Sequence, residues 1–86
     1  MVQAIEMPLV TIKVIKEAST PEFKAKLIAR VSDAVADVIV AQFGADKEKV
    51  LSHLMCIVEE VSFENWGLRG VPLTRESVKE DLGISK

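Results

Sequence analysis

The sequence predicts an α+β chain: one β-α-β unit with parallel strands, a covering helix and a C-terminal hairpin, assembled as an oligomer. Three observations carry that prediction. Apolar residues alternate over "PLVTIKVIK", they recur at three- and four-residue intervals from Phe23 to Ile39, and a second β-branched, apolar run follows in "VLSHLMCIVEEV". A period of two marks a strand and a period of 3.6 a helix, because at those spacings side chains return to one face.

The first strand reads from Pro8 to Lys16. Val10, Ile12 and Val14 make a wholly apolar face, and Leu9, Thr11, Lys13 and Ile15 a mixed one. In "EASTPEFKAK" two helix starts fit the spacing: Ser19 with Glu22 as a capping box, or Thr20 as N-cap with Pro21 at the first helical position. Either begins the helix within a residue of Thr20. Leu27, Ile28, Val31, Val35 and Val38 then share one side, and Lys24, Lys26, Arg30, Asp33 and Asp37 the other. This amphipathic helix should end near Phe43, with Gly44 as a left-handed cap. "ADKEK" reads as a polar connection with room for one short helical turn, and the second strand is expected from His53 to Val61.

A strand, helix and strand cross over right-handedly and set the strands parallel. Two parallel strands are not stable alone, and the mixed face still carries Leu9 and Ile15, so another subunit is the expected cover. Further on, "FENWGLRGVPLT" has Gly67 and Gly70 flanking Leu68 and Arg69, a small hairpin or hooked turn that can extend a neighbour's sheet. "TRESVKEDLG", Thr74 to Gly83, reads as a short charged helix closed by glycine.

With 86 residues, a single domain over residues 8–86 is expected, preceded by an N-terminal extension or leader over residues 1–7. A chain this short hides only about 60–65% of its unfolded surface. A composition that is 49% hydrophobic exceeds what one small core absorbs, so a homo-oligomer, from dimer to hexamer, is the first expectation. Eleven basic and thirteen acidic residues are interspersed and sum to a net charge of −2, which leaves no electrostatic footprint for nucleic acid. The single Cys56 excludes an internal disulfide and suits a reducing compartment. The sequence has no secretory pattern at its start and nothing near eighteen consecutive apolar residues, so a cytoplasmic protein without membrane contact is expected.

His53, Met55 and Cys56 are soft or borderline metal ligands. On a strand, His53 and Met55 would share one face and Cys56 the other, so no metal site is expected. Glu59 and Glu60 likewise would project to opposite faces and form no carboxylate dyad. Pro8 admits two readings. Inside the chain it is an inert tertiary amide whose missing N–H costs nothing at the first residue of an edge strand. If Met7 were the start, Pro8 could instead become a free secondary amine.

The order Met-Pro, strand, helix, strand, then "NWGLRG" resembles the tautomerase superfamily, and within it the 4-oxalocrotonate tautomerase family, from Pro8 to about Thr74. The resemblance implies an N-terminal proline acting as general base, with no metal or cofactor, on a small-molecule carbonyl or enol acid. Proline suits that role. A free α-amino group titrates near pH 8, and desolvation in an apolar pocket lowers that value, so a neutral amine is available at neutral pH. Trp66 falls where the family places an aromatic pocket wall.

The family's typical members hold substrate carboxylates with two arginines, whose positions fall here at Ala18, in "KEAS", and near Met55. Neither is arginine, which speaks against the family's dicarboxylic substrate. Arg69, three residues beyond Trp66, is one replacement cation. Lys16 is another, but it lies roughly 26 Å along an extended strand from Pro8 and would have to act from an antiparallel partner. The resemblance thus implies a tautomerase-like isomerase for enol/keto proton transfer, with Pro8 as catalytic base and Trp66, Arg69 and Lys16 binding substrate. The alternative is a non-catalytic oligomeric or small-ligand-binding relative whose Pro8 is blocked by residues 1–7.

Overall fold

The computed structural model describes residues 8–85; the expected extension over residues 1–7 lies outside the described residues. Four strands and three α-helices follow in the order β1 (Leu9–Ile15), α1 (Pro21–Phe43), α2 (Lys47–His53), β2 (Met55–Val61), β3 (Gly67–Leu68), β4 (Val71–Pro72) and α3 (Arg75–Leu82). Short 3₁₀ turns occupy Lys16–Ala18 and Phe63–Asn65. β1 and β2 form a two-stranded parallel sheet, and β3 and β4 an antiparallel one. The Met55 N–H donates to the Pro8 carbonyl at 3.0 Å, so β1 and β2 start side by side, as parallel strands must. Among the described residues, no helix is long and apolar enough to cross a membrane.

The described chain packs as two compact units. The first holds β1 as far as Ile12 together with Thr20–Glu59. Here α1 starts at Thr20, whose Oγ1 accepts from the Phe23 N–H at 3.1 Å, with Pro21 at the first helical position. It ends at Gly44, in the left-handed region at φ 67°, whose N–H donates to the Val40 carbonyl at 2.8 Å. Of the two starts compatible with the sequence, Thr20 is the one used.

The expected second strand is shortened by helix. α2 takes up Lys47–His53, β2 begins at Met55, and His53 belongs to a helix end rather than a strand. The physical reasons are local and distant. Asp46 caps the helix, its Oδ1 accepting from the Glu48 N–H at 3.0 Å. Lys47 then reaches back to Asp33 at 2.7 Å and Asp37 at 2.9 Å, two carboxylates one turn apart on α1.

Among the described residues Ala36 alone is a fully buried apolar side chain. Along β1 and β2 burial alternates: Val10, Ile12, Cys56 and Val58 are half-buried. Between them Leu9, Met55 and Ile57 are 56%, 48% and 46% exposed. One sheet face of this unit therefore leaves three apolar side chains exposed beside Thr11 and Glu59.

The second unit holds Lys13–Ser19 and the chain from Glu60 onward. Glu17 organises it: its Oε1 accepts from the Phe63 N–H at 3.0 Å, and its carbonyl accepts from the Arg75 guanidinium at 3.3 Å. The same guanidinium stands 5.8 Å from the centre of the Phe63 ring, a cation–π distance. In the hairpin Gly67 faces Pro72 and Leu68 faces Val71. The turn residues, Arg69 at φ 55° and Gly70 at φ 79°, are both left-handed, which matches the twist of a two-residue hairpin. α3 opens with a reciprocal capping box between Thr74 and Ser77 and closes on Gly83 at φ 66°.

Candidate active site

Pro8 lines a cavity of about 240 Å³ in the first unit. Ile39 of α1, Ala45 and one face of α2 complete it, the last through Asp46, Lys49, Val50 and His53. Those four recur at intervals of three, four and seven residues, the spacing that returns to one helical face. Ile39, Ala45 and Val50 give the cavity an apolar lining beside its polar groups.

The charged groups around this cavity are unequally engaged. Hydrogen bonds to Asp33 and then Asp37 raise the Lys47 ammonium above its ordinary value of 10.5. Lys49, two residues on and turned to the cavity, is in no ion pair among the described residues. The Asp46 carboxylate is committed to the helix cap. His53 Nδ1 lies 2.9 Å from the Lys49 carbonyl and 3.1 Å from Ser52 Oγ, whose own hydroxyl donates to the same carbonyl at 2.8 Å. A carbonyl only accepts, so Nδ1 is the donor in this contact and Nε2 is the ring nitrogen left over.

The other sequence-predicted residues lie in the second unit. Trp66 is half-buried, and its indole N–H donates to the Val61 carbonyl at 3.0 Å, which fixes the ring and uses its one polar atom. Arg69 lines a separate hollow of about 230 Å³ with Leu68, Val71, Leu73, Ser77 and Asp81. Trp66 is not among the residues that line that hollow. Lys16 is exposed in the 3₁₀ turn that follows β1, the end opposite Pro8. Of the two positions that lack the expected arginine, Ala18 is exposed in that same turn and Met55 opens β2.

Lys49 and His53 were not among the sequence-predicted site residues. Asp46 as a cap followed by a helical face is a legible signal, but the apolar run that follows it is equally compatible with a strand. His53 also does not share a strand face with Met55, because it is helical. Among the described residues no three His, Cys, Asp or Glu side chains are grouped to hold a metal ion.

A parallel β-α-β unit headed by a proline that lines a small cavity places the chain among α+β proteins built around the start of their first strand. The chain belongs to the tautomerase family: the family model described as tautomerase enzyme matches residues 8–76, beginning on Pro8 itself. It is 39% identical over 80 residues to the probable tautomerase RSp0893 of Ralstonia nicotianae, covering 93% of this chain and 99% of that one. The crystal structure of DmpI from Helicobacter pylori is similar in fold, with a TM-score of 0.53 and 25% identity over 85% of this chain and 97% of the other.

Proposed function

We propose that this tautomerase-family chain is an isomerase that moves a proton between the enol and keto forms of a small carbonyl acid, with Pro8 as general base in a protein that begins at that residue. One observation carries the reading: the residue on which the family match begins is also a wall of the cavity. As a terminal secondary amine, Pro8 would accept the enol O–H proton and return it to carbon, leaving the ketone and regenerating the amine. Apolar neighbours favour the neutral amine that this step needs. Residues 1–7 are then a leader or extension whose removal exposes the amine, and residues 8–86 the working domain. No metal or cofactor is called for.

Trp66 would serve as a planar apolar wall, and Arg69 and Lys16 as cations presented by neighbouring copies. Self-association is supported by the exposed apolar side chains of Leu9, Met55 and Ile57 and by a core reduced to Ala36.

The test compares the full chain with a form beginning at Pro8, both assembled, in ketonisation of an arylpyruvate enol and of a dienol acid. Activity is expected only with the free amine, falling at least about a hundredfold in Pro8→Ala, the lower range for a lost general base. An assembled Pro8-initiated form that is inactive on both, or as active after Pro8→Ala, would sink the enzyme reading in favour of a non-catalytic binding relative.

A further inference from the structure

We propose that Lys49 and His53 of α2 form the carboxylate-recognising wall of the Pro8 cavity, so that the site takes a small monocarboxylic acid rather than a dicarboxylate. The chemistry performed on that acid rests on the reading of Pro8 as base; the anion site rests on the cavity alone.

Lys49 is the cation on the cavity wall, and the contrast with Lys47 shows why it is available. Lys47 spends its ammonium on Asp33 and Asp37, whereas Lys49 has no carboxylate partner among the described residues. Asp46, the acidic group among the described residues of the wall, has its Oδ1 turned to the α2 backbone as a cap. Around these groups Ile39, Ala45 and Val50 displace water from one side, which strengthens a charge-assisted hydrogen bond to Lys49.

His53 adds a second polar contact. With Nδ1–H held by the Lys49 carbonyl, Nε2 is the ring atom left for a ligand. In the neutral ring it accepts an enol hydroxyl, and in the protonated ring it donates to a carboxylate.

Charge and size select the acid. An ammonium is a compact point charge that matches one carboxylate, and once Lys49 and His53 hold that group the described wall offers a second carboxylate only Asp46 or apolar side chains. A volume of about 240 Å³ falls below the roughly 300–1,000 Å³ of sites for larger ligands. The absence of arginine at Ala18 and Met55 agrees with this choice.

The probe pair is crotonate and crotonamide, planar molecules of nearly one shape that differ in charge. Each is titrated, with backbone amide shifts of Ile39 and Val50 as readout, into the full chain and into the form beginning at Pro8. Crotonate is expected to bind at least about fivefold more tightly than crotonamide, a conservative figure for a charge-assisted contact at an exposed lysine. Lys49→Met should bring the two affinities within about twofold and Lys49→Arg should restore the preference, while His53→Gln weakens it in part. Lys26→Met makes the same change in net charge at a different hollow, lined by Phe23, Leu27 and Arg30, and should leave the preference intact.

An undiminished preference in Lys49→Met, or an equal loss in Lys26→Met, overturns the proposal. If Pro8→Ala leaves turnover unchanged while Lys49→Met erases the preference, the base assignment fails and the carboxylate site stands. If Pro8→Ala abolishes turnover while Lys49→Met binds as the parent does, the base stands and this site is overturned.

Discussion

Replacing Asp46 by alanine tests how α2 is held against the cavity. The substitution removes the 3.0 Å acceptor of the Glu48 N–H at the start of a helix only seven residues long. A lost N-cap costs about 0.5–2 kcal/mol, including the favourable placement of a carboxylate at a helix N-terminus, worth about 0.3–1 kcal/mol of that. A two-turn helix has no independent stability to absorb the loss. The expected destabilisation is about 1–1.5 kcal/mol, or a melting temperature lower by about 5–10 °C for a chain of this size. Asp46→Asn keeps an acceptor and loses only the charge, so it should fall by less than half as much.

The assay is thermal and urea unfolding at matched protein concentration, since an oligomer's melting depends on concentration. Hydrogen exchange at Val50 accompanies it, because the Val50 N–H donates to the Asp46 carbonyl at 3.0 Å in the first turn of α2. Exchange there should quicken in Asp46→Ala, and turnover of the Pro8-initiated form should decline as Lys49, Val50 and His53 lose their fixed positions. An alanine variant that melts and exchanges like the parent refutes the capping argument. So does an asparagine variant as damaged as the alanine one, since charge and not the cap would then be decisive.

Two further outcomes follow from the same geometry. Ile57→Lys places a charge on the open sheet face; covering the exposed half of an isoleucine is worth about 1 kcal/mol per subunit, and the unpaired ammonium adds a desolvation cost. Sedimentation should therefore show dissociation at concentrations at least about tenfold higher than the parent requires, and an unchanged molar mass on dilution would count against that face as the interface. For Lys47 the folded value is raised, so its contribution is fully present below the unfolded value of 10.5 and is lost as pH rises through the higher folded value. Melting temperature between about pH 9 and 12 should fall more steeply in the parent than in Asp33→Asn/Asp37→Asn, and salt should weaken the difference, because the pair is exposed; parallel profiles would show the bridge to be inert.

What was legible in the sequence is what local chemistry decides. Thr20 with Pro21, Gly44, Thr74 and Gly83 mark helix ends because capping is settled within a few residues, and each serves as a helix end in the structure. The alternation of β1 shows directly because burial on one face imposes a period of two. "NWGLRG" announced a hairpin, although its turn residues are Arg69 and Gly70 and Gly67 is paired in the strand. Met-Pro heading that pattern was enough to indicate the family.

The division of "VLSHLMCIVEEV" was different, because a short apolar run is compatible with both periods. Its first part became helix through Asp46 as cap and through Lys47 meeting Asp33 and Asp37, residues far back along the chain. That choice carried His53 off the strand and, with Lys49, onto the wall of a cavity that Pro8 shares. By itself, then, the sequence determined the ends of α1 and α3, the faces of β1 and the family, since these depend on neighbours in the chain. Only tertiary structure decided which polar side chains share a cavity with Pro8, since that depends on how α2 packs against α1.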